Sequence, residues 1–531
     1  MKITHYIYIG LATLMLHSCN FLEEYSQDQA YVNTWEDLNE LLIGGCYVSV
    51  NTTQEWQDGS NPGQFIHLLA DELDERNVST SGFPLFDAKY YTFGNYTWQQ
   101  RSGMKETYAG DYYTENTTWT AFYKCINVAN NILNSSESLS QNTKDEIAGY
   151  NKVRGEAHFV RAFLYFWLTN TYGQPYSPST ASTDLGVPLK TSEEVLDIKY
   201  GRNSVKECYD LVVSDLLAAE EELTKYGKAQ PSIYRADSVA AQLLLSRVYL
   251  YMQNWEKAEE YGRKVIASHP GLQNLNSNKD RLMQKSNPEN IFSMGGSDLP
   301  CLMVDMVHAY KVSKDLYRSY SDNDLRKNSW YYTYGSFYGL TKLPELAAYA
   351  DQYTQNDAAY NYWCYYRYIG SQVPISSLFW LRSSEAYLNL AEALAYQGKD
   401  EEALKVFNTQ RAARYLPGSQ ELAKTYTNEE LVNEIRTERR KEFSFEGQRW
   451  FDLRRYRVCE KYPSKISLTH NYTYYTDRGQ DAMTETHVFT LTEDDPSWTC
   501  PIPQEVIEFN TGMPNNGNVY RDYQVIEPVQ E

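Results

Sequence analysis

Residues 238–266, SVAAQLLLSRVYLYMQNWEKAEEYGRKVI, decide the fold class of this chain. Apolar residues recur at helical spacing over two segments, 237–252 and 255–268, which are joined by a tight turn at Asn254. Small residues such as Ala258 allow the two helices to lie close together. One such pair cannot bury its own apolar face, so it predicts a stack of pairs, as in a tetratricopeptide-like α-α superhelix.

The same pattern returns at residues 381–415, and two weaker versions lie earlier, at 120–172 and 203–226. A further helix is predicted to begin after Thr34, which is a plausible N-cap. The sequence therefore predicts a mainly α protein with large irregular, loop-rich insertions.

Irregular segments separate the helical ones. Residues 275–375 are rich in Gly, Pro, Asn and Tyr and show no sustained period. Residues 77–118 are also predicted to be irregular, after a helix over 64–75. The chain after residue 444 is predicted to be irregular except for a hairpin around 470–492. Long insertions in a compact protein are where binding residues concentrate.

The N-terminus has the pattern of an export signal. Lys2 precedes an apolar run of 11 residues, 6–16, which fits a signal peptide and is too short to span a bilayer. Leu16-His17-Ser18-Cys19 follows, and a small residue directly before a Cys resembles the lipobox of bacterial lipoproteins. We expect cleavage after residue 18 and lipid attachment at Cys19. The alternatives are an ordinary signal peptide or a buried N-terminal segment.

These patterns divide the chain into four parts. Residues 1–18 are the predicted signal peptide and residues 19–33 a polar, lipidated tether. Residues 34–275 form a predicted N-terminal helical region. Residues 276–531 form a C-terminal region with loop insertions and the helical pair at 381–415.

Composition excludes several classes of protein. The chain has 49 basic and 69 acidic residues, for a net charge of -20, which argues against binding nucleic acid or docking on anionic lipid by charge. Mean hydropathy is -0.60, and no stretch is apolar enough to cross a membrane as a helix. Tyrosine is unusually common, with 48 residues, and its flat face and hydroxyl suit surfaces that touch polar ligands.

No catalytic or cofactor motif appears. The sequence lacks HExxH, GxSxG, GxxxxGK[ST] and GxGxxG, and it has no CxxC pair. It predicts no metal site and no cofactor. A glycosidase is the open alternative, because its two carboxyl groups are recognised by their separation and not by a count of acidic residues. The densest acidic spots are 72–75 and 494–495, and residues 322–324 are a weak calcium candidate without the rest of an EF-hand loop.

Aromatic residues in the predicted loops are the candidate ligand-binding residues. They are Trp98, Trp330, Tyr331 and Tyr334, with Trp363 in a second cluster. A flat ring stacks on the apolar face of a sugar while polar neighbours bind its hydroxyls, so two such loops could form a binding platform. We expect Trp98→Ala and Trp330→Ala to weaken glycan binding without lowering the melting temperature. The alternative is that these rings hold long loops in place as small cores.

Four segments, in order along the chain, resemble one known family. They are 68–77 (LLADELDERN), 154–175 (RGEAHFVRAFLYFWLTNTYGQP), 437–456 (TERRKEFSFEGQRWFDLRRY) and 501–520 (PIPQEVIEFNTGMPNNGNVY). Together with the lipobox Cys19, they resemble the SusD/RagB outer-membrane lipoproteins of Bacteroidetes. The segment at 437–456 is the strongest match.

The resemblance implies a helical fold with tetratricopeptide-like pairs on the outside of the outer membrane. It implies a protein without enzymatic activity that binds oligosaccharide and serves as the lid of a SusC-like, TonB-dependent β-barrel transporter. Some members of the family bind peptide instead, so a peptide-binding lid is the alternative, and a surface glycosidase is a third. The resemblance also implies buried ion pairs among charged residues of the strongest segment, which are Arg439, Glu442, Glu446, Arg449, Asp452 and Arg454.

Overall fold

The computed structural model describes eleven segments of the chain, 32–48, 61–76, 86–105, 115–194, 197–227, 232–278, 280–296, 310–334, 337–342, 375–475 and 483–528. Helices dominate these segments. They are α1 (Trp35–Gly45), α2 (Phe86–Tyr96), α3 (Thr117–Ser138), α4 (Lys144–Tyr172), α5 (Val205–Tyr226), α6 (Ser238–Tyr251), α7 (Trp255–Ser268), α8 (Lys314–Ser319), α9 (Arg326–Ser329), α10 (Ser383–Tyr396), α11 (Asp400–Ala412), α12 (Gln420–Ala423), α13 (Asn428–Glu442), α14 (Arg449–Arg457) and α15 (Gln504–Phe509). No helix within these segments is long and apolar enough to cross a membrane.

Short strands form four small antiparallel sheets. The strands are β1 (Leu73–Glu75), β2 (Asn290–Ser293), β3 (Tyr310–Val312), β4 (Tyr331–Tyr334), β5 (Phe337–Leu340), β6 (Trp380–Arg382), β7 (Leu468–Tyr475), β8 (Met483–Leu491) and β9 (Tyr523–Ile526). Strand β1 pairs with β3, β2 with β6, and β4 with β5, while β7, β8 and β9 form one sheet in that order. The predicted hairpin around 470–492 is confirmed as β7–β8.

The helical pairs predicted from the sequence are confirmed. Helices α6 and α7 form the first pair, and α10 and α11 form the second. The two pairs stack through α7 and α10. A Cβ on Gly262 would lie 3.1 Å from the Cβ of Leu390, so a small residue there allows the close approach. The mainly α fold with stacked pairs follows from this packing.

Several segments differ from the prediction. Residues 64–75, predicted as one helix, form a 3-10 helix (Gln64–Leu68) and strand β1. The 3-10 helix begins after Gly63, whose φ of 83° is left-handed and does not fit an α-helix. In strand β1, Glu75 pairs with Tyr310 of β3, far along the chain. Helix α2 lies in a region predicted to be irregular, and so does α14. Long-range contacts outweigh local propensity in these segments.

Buried ion pairs fix the C-terminal region, as the resemblance implied. Glu442 lies at their centre and accepts hydrogen bonds from Arg326 at 2.9 Å, Arg382 at 2.7 Å and Arg414 at 2.7 Å. Burial alone would raise the pKa of Glu442, but Arg414 and Arg382 outweigh it and hold that pKa well below its usual value. We call this set the charge cluster; its members are Glu289, Asp324, Arg326, Lys342, Arg382, Arg414, Glu438, Glu442 and Glu446.

The ion pair expected for Arg454 is wrong, whereas those of two neighbouring arginines are present. Arg439 pairs with Asp452 at 3.1 Å, and Arg449 with Asp71 at 2.7 Å, as expected. In the described part of the chain, Arg454 has no carboxylate partner. It instead donates to the carbonyl oxygens of Asn170 and Gly173 at the end of α4. A guanidinium at a helix C-terminus satisfies carbonyl groups that the helix leaves open.

Candidate functional site

The predicted platform residue Trp98 is part of the core. Its side chain is 3% exposed, and its indole N–H donates to the carbonyl of Leu69 at 3.0 Å. Its ring stacks on His470 with centroids 4.2 Å apart. Because His470 stacks on this ring, the ring is not open to a sugar, and the expectation that Trp98 lies on an exposed platform is wrong.

Trp330 and Tyr331 are also buried, at 1% and 3% exposure. The Lys342 ammonium lies 4.4 Å from the Trp330 ring centroid, which places the ring directly beside the charge cluster. The Tyr331 hydroxyl is hydrogen-bonded to Tyr320 at 2.9 Å and to Ser444 at 2.6 Å. The alternative weighed from the sequence, that these aromatic residues hold loops in place, accounts for both.

The structure leaves the other predicted residues untested. Tyr334 lies at the end of β4, opposite Phe337 in the register, and the position of its side chain is not described. Trp363 and the lipidation residue Cys19 lie outside the described residues. Their ligand-binding and anchoring roles stay predictions.

A pocket lies elsewhere, where three distant parts of the chain meet. Helix α3 contributes Trp119 and Tyr123, the segment after α4 contributes Pro188, Lys190 and Tyr200, and α15 contributes Val506 and Asn510. Its volume is about 110 Å³. A cavity that encloses one benzene ring measures about 150 Å³, so this smaller pocket can hold part of a ring or one substituent, with the rest of the ligand in solvent.

The two aromatic residues of α3 share one face because they lie four residues apart on the helix. Their ring centroids are 4.9 Å apart. Trp119 also meets Tyr172 edge-on at 5.2 Å, so its ring is held in one orientation. The Tyr123 hydroxyl donates to the carbonyl of Pro188 at 2.7 Å, which joins α3 to the segment after α4.

Hydrogen bonds fix the other walls. The backbone N–H of Lys190 donates to the Tyr165 hydroxyl at 2.7 Å, and its carbonyl accepts from Asn130 at 2.9 Å. The backbone N–H of Tyr200 donates to the Asn510 side chain at 3.0 Å, which ties the segment to α15. These bonds use the backbone groups of Lys190 and Tyr200, so the backbone around the pocket is held independently of their side chains, which line it.

The pocket combines apolar faces with polar groups at its edge. Trp119 is 8% exposed, whereas Tyr123, Lys190 and Tyr200 are partly exposed, so the pocket opens to solvent. Burial is the main cause that raises the pKa of Tyr123 well above its usual value, so its hydroxyl stays protonated. Aromatic faces with a polar edge suit a small ring that bears hydroxyl groups.

The acidic spots noted in the sequence are structural. Asp324 pairs with Arg326 at 2.7 Å, and Asp495 pairs with Arg521 at 2.6 Å. Burial raises the pKa of Glu72 to about 7, but its side chain is buried and accepts from the backbone N–H of Phe445 at 3.0 Å. Among the described residues, no group of His, Cys, Asp and Glu could hold a metal ion.

Two family models match successive parts of the chain. One is described as starch-binding and associating with the outer membrane, and it matches residues 64–250. The other describes the SusD family and matches residues 265–520. The chain belongs to the SusD family. The resemblance seen in four short segments of the sequence is thereby confirmed.

Named relatives agree with this family. A SusD-like protein, P2, of Formosa agariphila is 26% identical over 493 residues, which cover 84% of this chain and 89% of that protein. The starch-binding protein SusD of Bacteroides thetaiotaomicron is 29% identical over 155 residues, which cover 28% of this chain and 25% of that protein.

Solved structures of the SusD superfamily share the fold. One from Bacteroides thetaiotaomicron has a TM-score of 0.66 and 22% identity, and the match covers 91% of this chain and all of that one. A SusD-like carbohydrate-binding protein from Bacteroides vulgatus has a TM-score of 0.63 and 20% identity, over 91% of this chain and 98% of that one. These likenesses support the predicted helical fold.

Sequence reasoning missed the pocket of this SusD-family chain. A helix was predicted from residue 120, whereas α3 begins at Thr117, so Trp119 was left outside it. The spacing of Trp119 and Tyr123 was a usable signal once that start is corrected. Lys190 and Asn510 carried no signal, because tertiary folding alone brings their segments to α3.

Proposed function

We propose that this SusD-family protein binds oligosaccharides at the outer surface of the outer membrane and delivers them to a SusC-like, TonB-dependent transporter as its lid. The family match over both parts of the chain carries this proposal. The pocket at α3 supports it, because two fixed aromatic rings and a polar edge suit a sugar unit.

We further propose that the protein acts by binding and not by catalysis. The relative named SusD is a starch-binding protein, and a glycosidase needs two reachable carboxyl groups at a set separation. Glu72, whose pKa of about 7 would suit a general acid, is 2% exposed and therefore out of reach of a glycosidic bond. Tyr334 and Trp363 remain proposed ligand contacts.

The binding proposal is tested by calorimetry of the purified protein against a panel of oligosaccharides and a panel of peptides. We expect at least one oligosaccharide to bind with a micromolar to millimolar Kd, which corresponds to about 4–8 kcal/mol. Tyr200→Ala should weaken that binding severalfold, because it removes a wall of the pocket. Tyr520→Ala is the matched control, since Tyr520 is 50% exposed and lies outside the pocket.

Binding of peptides alone would replace the glycan proposal with the peptide-binding lid. Release of shortened sugars from the panel would show a glycosidase. Normal binding by Tyr200→Ala would leave the glycan function standing and move its site away from this pocket.

The anchoring and transport proposals need separate experiments. Cys19→Ala should release the protein from membrane fractions, and unchanged partition would refute lipidation at that residue. Pull-down from detergent-solubilised outer membrane should recover a β-barrel transporter with the protein, because a tether and direct contact together keep the effective concentration high. Recovery of the lipoprotein alone would count against the lid.

A further inference from the structure

Charge sets the pocket apart from the rest of the chain. The protein carries a net charge of -20, yet the charged residue that lines the pocket is a lysine, Lys190. Its ammonium donates to the side-chain carbonyl of Asn127 at 2.9 Å. Within the segments that the structure describes, no carboxylate lies within ion-pair distance of this ammonium.

Carboxylates on the neighbouring segments have other partners. Glu193, on the same segment as Lys190, accepts a hydrogen bond from Asn134. That bond is the main cause that lowers the pKa of Glu193, and Lys190 adds a smaller effect. On α15, Glu508 accepts from Gln504 at 3.1 Å. None of these carboxylates lines the pocket.

Two more cations near the pocket have neutral hydrogen-bond partners and no ion pair among the described residues. Lys199, next to Tyr200, donates to the carbonyl of Phe509, and Arg202 donates to the carbonyls of Gly186 at 2.8 Å and Tyr172 at 2.9 Å. Burial without a carboxylate partner lowers the pKa of Arg202 to about 10. The local field therefore favours a negative charge, and Lys190 is the cation at the pocket wall.

Lys190 is also held in place before any ligand binds. Its backbone N–H and carbonyl are hydrogen-bonded to Tyr165 on α4 and Asn130 on α3. The backbone is therefore already ordered, which lowers the entropy cost of binding a ligand. Its ammonium has three donor positions, of which Asn127 takes one.

We propose that the pocket takes a sugar unit that carries a negative substituent, a carboxylate or a sulfate, and that Lys190 pairs with that substituent while the ring stacks on Trp119. This inference rests on the proposed carbohydrate-binding function and specifies its ligand. A charge-assisted hydrogen bond is about twice as strong as a neutral one, so the acidic sugar should be clearly preferred to its neutral counterpart.

The test compares glucose, glucuronate, glucose 6-sulfate and acetate as probes of the purified protein, by saturation-transfer NMR and titration calorimetry at low salt. We expect glucuronate and glucose 6-sulfate to bind about tenfold more tightly than glucose. Raising the salt concentration should reduce this preference. Lys190→Gln should remove the preference for the acidic sugars. Lys124→Gln, an exposed lysine of α3, is the matched control and should leave that preference unchanged.

Several outcomes would overturn the inference. Equal affinity for glucose and glucuronate would make the pocket a neutral-sugar site. Acetate binding as tightly as glucuronate would show an anion site without sugar recognition. If an acidic preference survives Lys190→Gln, another cation is responsible. If none of the four probes binds while a neutral oligosaccharide from the panel does, the carbohydrate-binding function stands and this assignment of the pocket fails.

Discussion

The charge cluster and the pocket use cations in opposite ways. In the cluster, Arg382 is buried and meets three carboxylates, from Glu289, Glu442 and Glu446. Near the pocket, Lys190 and Arg202 donate to amide and carbonyl oxygens and have no ion pair among the described residues. The charges of the cluster already pair with one another and cannot pair with a ligand. The Lys190 ammonium at the pocket wall can still pair with a negatively charged ligand.

Aromatic rings show the same contrast. Trp330 is enclosed beside the charge cluster, with the ammonium of Lys342 over its ring. Tyr123 and Tyr200 are partly exposed and line a cavity. Residue type alone therefore does not distinguish a structural ring from a binding one; the difference lies in what covers each ring.

The largest effect is expected from Glu442→Gln. This change leaves Arg326, Arg382 and Arg414 without their shared carboxylate in a buried site, and breaking a buried pair costs about 3–5 kcal/mol. We expect a loss at the upper end of that range, measured by urea denaturation. Glu401→Gln, an exposed change on α11, should stay within about 0.5 kcal/mol. A variant as stable as wild type would show that the cluster is not structural.

Trp330→Ala should come next. Replacing a fully buried tryptophan typically costs about 3–5 kcal/mol, and we expect about 3 kcal/mol here, seen as a lower melting temperature. This outcome reverses the expectation drawn from the sequence alone, in which the variant melts normally. A normal melt together with weakened glycan binding would restore Trp330 as a ligand contact.

We expect Glu72 to change the free energy of unfolding by about 2–3 kcal/mol as the pH changes. Glu72 lies beside Asp71 and has no ion pair among the described residues. Burial raises the pKa of its carboxyl from about 4.5 to about 7 in the folded protein. Its stabilising contribution is therefore complete below pH 4.5 and is lost as the pH rises to 7. Glu72→Gln should flatten the dependence of unfolding free energy on pH over this window, and an unchanged slope would contradict the assignment.

The smallest effect is expected from Lys190→Gln, which removes a charge as Glu442→Gln does. Because the ammonium has only a neutral partner, unfolding free energy should change by less than about 0.5 kcal/mol. Urea denaturation of the two variants side by side measures the contrast. A loss above about 2 kcal/mol would mean that Lys190 is part of the frame.

The sequence by itself determined the fold class, the family and most helices. Periodicity predicted the pairs that became α6–α7 and α10–α11, because amphipathic spacing is a local property that survives folding. Helix α4, which begins at the Thr143 and Glu146 capping box, lies within the predicted helical segment 120–172. The four-part division of the chain, with its signal peptide and tether, remains a prediction.

Only the tertiary structure decided which aromatic residues are core and where a pocket lies. Trp98 and Trp330 resemble exposed loop residues in sequence, yet His470, far along the chain, stacks on Trp98, and the Lys342 ammonium lies over the Trp330 ring. Arg454 resembles its ion-paired neighbours, yet the open carbonyls of α4 take its donors. The walls at Trp119, Lys190 and Asn510 are separated by long stretches of chain, and burial and charge pairing depend on such contacts, which local sequence patterns do not contain.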